Sequence, residues 1–151
     1  MSRPPTPLGR AKLVLPLVSL LLALLGPACK RDDFVRATVH KAHGLATAIT
    51  RVVSGATDKR AGVAEAQARL DAERTALEHD ILELKSLRSY QMTATLQPQW
   101  RDAFIDDLAA IESLQSELRV EMAADPTLAA AVDTLVRDYA AIVSITPPPE
   151  A

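Results

Sequence analysis

The feature that most restricts how this chain folds is the scarcity of anything that interrupts a helix. Between Cys29 and Thr146, glycine and proline occur only at Gly44, Gly55, Gly62, Pro98 and Pro126. Long stretches of good helix formers are thus separated by a few defined breaks. Within those stretches apolar residues recur at three- and four-residue steps, the period of an amphipathic helix and not the alternation of a strand. Ala and Leu dominate, with Arg next, and Phe34, Tyr90, Trp100, Phe104 and Tyr139 are the only aromatic residues. That composition favours helices over sheets.

Four helices are predicted. The first runs from about Asp33 to Val53 with Val35, Thr38, Ala42, Leu45, Ile49 and Val52 on one face, and Ser54 to Thr57 form a turn. The second, about Asp58 to Tyr90, carries Val63, Ala66, Leu70, Leu77, Ile81 and Leu84, with Arg74 and Arg88 intruding at the edge of the stripe. Pro98 opens the third in a first turn, where its missing N–H is no loss. Trp100, Phe104, Leu108, Ile111, Leu118 and Met122 follow on one face to about Ala123. Asp125-Pro126 pairs an N-cap carboxylate with a first-turn proline and launches Leu128, Val132, Leu135, Tyr139 and Ile142. Pro147 to Pro149 stop the last helix, so residues 147–151 are expected to be a disordered tail.

Short turns between amphipathic helices predict an all-α, up-and-down bundle of about four helices. At 1.5 Å per residue the second helix would span about 50 Å against about 30 Å for the first. Either it breaks near Gly62, or a long second-to-third hairpin projects around Leu84 to Phe104. That tip carries Tyr90, Met92, Leu96, Trp100 and Phe104, and the topology brings Phe34 and Tyr139 toward the same end. Two readings of these residues stay open: an apolar layer closing the bundle, and a patch that meets a partner or a membrane.

Ahead of the helices, residues 1–12 are basic and proline-rich, and Leu13 to Leu25 form a 13-residue apolar run broken only by Pro16 and Ser19. A spanning helix needs about 20 apolar residues, so the run has the length of a secretory signal and not of a membrane anchor. The segment that follows, Gly26-Pro27-Ala28-Cys29, resembles the lipobox of bacterial lipoproteins, with a small residue before a lone cysteine; Gly26 stands where that class prefers leucine, and Leu25 lies one step back. The resemblance covers the leader alone. It implies a thioether-linked lipid on Cys29, acylation of its amine, and removal of residues 1–28. Lys30, where an aspartate would favour the inner membrane, implies the outer membrane facing the periplasm. The alternative is ordinary secretion, with Gly26 and Ala28 serving a general signal peptidase and Cys29 left as a free thiol. Residues 29–32 then form a tether and residues 33–146 the helical domain.

Without the leader the chain keeps 14 Lys and Arg against 19 acids, a net charge of about −5. This argues against a nucleic-acid partner, which needs a concentrated positive surface. A single cysteine excludes an intrachain disulfide and a Cys-x-x-Cys-His haem site. His40 and His43, spaced i, i+3, and His79 all project away from their stripes, so no metal site is assigned. Asp102, Asp106, Asp107, Glu112, Glu117 and Glu121 are expected to form a solvated acidic face on the third helix. Glu65 and Arg69 make an i, i+4 pair. No phosphate-cradling glycine loop, nucleophile elbow or zinc-protease pattern is present. The sequence is therefore expected to encode a non-enzymatic, membrane-anchored envelope lipoprotein with no cofactor. Its partners would be the membrane, through the lipid on Cys29, and a protein or a second copy of itself. The alternative is a periplasmic helical bundle that binds a small ligand or a metal.

Overall fold

The computed structural model describes the backbone of residues 15–88 and 91–145 and the side chains of Arg31 to Arg88 and Gln91 to Ile145. The protein is all-α, and its described residues form a helical bundle: α1 (Leu15–Gly55), α2 (Lys59–Ser86), α3 (Leu96–Glu117), α4 (Arg119–Ala124) and α5 (Pro126–Ser144). The tail at 147–151 and Tyr90 lie outside the described residues, as do the side chains of the leader and of Cys29.

The four long helices are held by the apolar stripes their sequences supply. Val35, Ala42, Leu45 and Ile49 of α1 are buried, as is Thr38, and Val53 takes the inward place expected of Val52. All six stripe residues of α2 and all five of α5 are buried. Burying a Leu, Ile or Val side chain contributes about 1.5–3 kcal/mol relative to leaving it exposed. At the gap in the α2 stripe between Leu70 and Leu77, the Arg74 guanidinium lies along the edge and donates to Asp138 on α5 at 2.9 Å and to Asp71 at 3.3 Å. The Glu65–Arg69 pair forms at 2.7 Å.

The ends of the helices follow from local chemistry. Asp58 caps α2, its carboxylate accepting from the Arg60 and Ala61 amides, and Asp125 does the same for α5 through Thr127 and Leu128. The Lys59 ammonium closes α1 by donating to the Val53 and Ser54 carbonyls at 3.3 and 2.8 Å. Gly44 sits inside α1 and interrupts nothing. Gly62 lies in the first turn of α2 against the α1–α2 turn and the end of α1, and a Cβ there would stand 2.5 Å from the Ala56 Cβ.

Four boundaries differ from those predicted. The first helix does not begin at Asp33: α1 is continuous from Leu15, so residues 29–32 run within it. The second helix ends at Ser86, not Tyr90, because Leu87 turns extended to pack against the core and the Gln91 side chain accepts from the Arg88 amide at 2.9 Å. The third opens at Leu96, with Pro98 still in its first turn, and breaks at Leu118. No glycine or proline causes that break. Leu118 is buried, and the short α4 bends over the bundle end to pack on α5.

At 28 residues α2 spans about 42 Å, and α1 accompanies it along its length, so no tip projects. The chain runs up, down, up and down. α1 packs on α2 and α3, and α5 packs on the same two helices, which puts α2 and α3 at opposite corners. Residues 91–95, which lead into α3, are tied to α1 where the Asp32 carboxylate accepts from the Thr93 amide and hydroxyl. α1 and α3 therefore run parallel, as do α2 and α5. Ser54 accordingly meets Glu117 at one end and Asp32 meets Thr93 at the other.

Candidate functional site

Two places in the bundle bring polar chemistry into apolar surroundings. The first is a cleft of about 550 Å³ at the bundle end where α1 enters. The end of α2 supplies Leu84, Lys85 and Leu87; α3 supplies Trp100, Arg101, Phe104, Ile105 and Leu108; α5 supplies Val143 and Ser144. The Trp100 and Phe104 rings meet edge to face with centroids 5.6 Å apart, because positions four apart on a helix stack on one side. The Arg101 guanidinium lies 5.4 Å from the Trp100 ring.

Of the five residues singled out at this end, Met92, Leu96, Trp100 and Phe104 are buried, and Tyr90 is outside the described residues. Met92, Trp100 and Phe104 form walls of the cleft, while Leu96 and Trp100 line a smaller groove of about 250 Å³ between α1 and α3. The large apolar residue left exposed beside them is Ile105, at 65%. The Trp100 indole N–H is buried with no acceptor among the described residues.

Lys85 had drawn no attention in the sequence, where it looks like one more solvated charge next to Leu84. In the fold its ammonium donates to the Val143 and Ile145 carbonyls, both at 2.7 Å, and so caps the C-terminal end of α5. Burial lowers its pKa, since the charged form loses hydration and no carboxylate of the described residues offsets that loss.

The second place is the α1–α3 contact. The expectation of a fully solvated acidic face on the third helix is corrected here: Asp107 is 3% exposed, and its Oδ1 lies 2.7 Å from Nδ1 of His43. Its other oxygen has no partner among the described residues. Burial raises the Asp107 pKa, and the His43 contact pulls the other way without overcoming it. Across the bundle, the Tyr139 hydroxyl donates to the Ala42 carbonyl, and burial together with the Asp107 charge pushes its pKa up. The His43 ring remains largely exposed in the α1–α3 groove, beside His40. The other carboxylates named on the third helix are exposed, as are His40 and His79. The spacing held the signal for Asp107, which stands three residues after Phe104 and four before Ile111, on the inward stripe.

Among the described residues no three metal-capable side chains converge, and no helix is long and apolar enough to cross a membrane. The sequence matches no family model, and comparisons with curated proteins and with solved structures find no similar protein.

Proposed function

We propose that this chain is a non-enzymatic envelope lipoprotein, held to the outer membrane on its periplasmic face through a lipid on Cys29, with a helical domain that serves as an interaction module. The observation that carries the reading is a coincidence of position. Arg31, two residues after Cys29, bonds to Glu83 at the same bundle end as the aromatic cleft and the exposed Ile105. A lipid on Cys29 places that end against the bilayer, where several acyl chains make attachment effectively permanent. The non-enzymatic part of the reading is supported at the α1–α3 pair, where Asp107 is buried between helices and the Tyr139 hydroxyl is already committed to the Ala42 carbonyl.

Mass spectrometry of the processed N-terminus, in wild type and Cys29→Ser, tests the anchor. The wild type should carry a lipid-sized increment that the variant lacks, and the variant should leave the membrane fraction. An unmodified Cys29 in the wild type overturns the reading. A second function, binding of a small ligand, is favoured by the cleft itself, whose volume falls within the roughly 300–1,000 Å³ usual for ligand sites.

A further inference from the structure

We propose that the cleft between α2, α3 and α5 binds a single-chain anionic amphiphile, a long-chain fatty carboxylate, with its tail against Trp100, Phe104 and Ile105 and its head between Lys85 and Arg101. This rests on the small-ligand reading and gives it a chemical class.

Three observations converge on that class. Most of the wall is apolar, which suits an alkyl chain, and Gln97 and Ser144 are its only uncharged polar side chains among the described residues. Among the described residues, the only charged ones that line it are Lys85 and Arg101, both cations, in a chain whose acids outnumber its bases. Neither has a carboxylate within salt-bridge distance among the described residues: Lys85 meets only main-chain carbonyls, and Arg101 only the Trp100 ring. Two cations without counter-ions at the rim of an apolar hollow are complementary to one negative head on a greasy tail. Ile105, 65% exposed, adds apolar surface to the wall that is open to solvent.

Trp100, the only tryptophan in the chain, lines the cleft and provides the readout. The probe is dibromostearic acid titrated into the full chain carrying Cys29→Ser, with Trp100 fluorescence recorded below the micelle concentration of the acid. We expect saturable quenching by the acid and at least about tenfold weaker quenching by its uncharged methyl ester. Arg101→Gln should weaken the acid about fivefold, the effect of losing one exposed charge contact. Ile105→Glu, at an exposed position that does not threaten the fold, should abolish saturable quenching while circular dichroism stays unchanged. The proposal is overturned by non-saturable quenching, by equal affinity for acid and ester, or by full binding in Ile105→Glu. The outcome is separate from the anchor, because the mass of Cys29 reads the lipid and Trp100 reads the cleft.

Discussion

A buried carboxylate is expensive unless something offsets its lost hydration, and Asp107 is only half provided for: one oxygen meets His43 and the other meets nothing described. Because burial raises its pKa, its contribution to stability is present below the ordinary carboxylate pKa and is lost as pH rises through the raised value. Asp32 and Asp125 have the opposite sign. Hydrogen bonds from Thr93 and Arg60 lower their pKa values, so their contribution is present above the ordinary range and lost as pH falls. Asp107→Asn removes the titration and keeps an acceptor for His43. Its stability relative to wild type, from urea unfolding, should improve by about 1 kcal/mol between about pH 4 and pH 7. A difference that does not change with pH would show that burial does not govern this carboxyl. His43→Ala strands Asp107 and should cost about 1–3 kcal/mol at neutral pH.

At the scale of the elements, the α1–α2 turn and the α5 terminus show what fixes one helix against another. Gly62 is required by space alone, since the Ala56 Cβ and the Val52 carbonyl crowd the place a side chain would take. Gly62→Ala should therefore destabilise by about 1–3 kcal/mol through overpacking. Gly44, inside α1 with nothing within 4 Å, is the control, and Gly44→Ala should stabilise by up to about 1 kcal/mol through helix propensity. Paired thermal melts check both; equal effects would mean that the approach of α1 to α2 is looser than its geometry. The glycines look alike in sequence because the constraint on Gly62 comes from Ala56, across a turn whose angle the sequence does not state. The α5 N-cap was legible for the converse reason. Asp125-Pro126 carries its geometry in two adjacent residues, and the structure forms the cap through the Thr127 and Leu128 amides.

Over the whole molecule, the arrangement gives the bundle two unlike ends. One holds Arg31, Asp32, Thr93, the cleft and the capped terminus of α5; the other holds the α1–α2 turn and α4, where Val120 is 76% exposed. If Cys29 is lipidated, the first end faces the bilayer. In vesicles of brominated phosphatidylcholine, Trp100 should be quenched more strongly than a tryptophan placed by Val120→Trp in a Trp100→Phe background. The reverse order would place the anchored domain the other way up.

The helix period and the breaks between stripes determined an all-α bundle from residues a turn apart, because a helix declares its buried face within a few residues. Every residue assigned to the α2 and α5 stripes is buried for that reason, and α5 buries Val136 and Val143 as well. Only the tertiary structure decided that α2 and α3 occupy opposite corners, that Leu118 bends the third helix, that Lys85 caps α5 and that His43 meets Asp107. Each of these joins residues from different helices. Their meeting depends on how the stripes rotate against one another, a balance of packing over the whole core that no local spacing records.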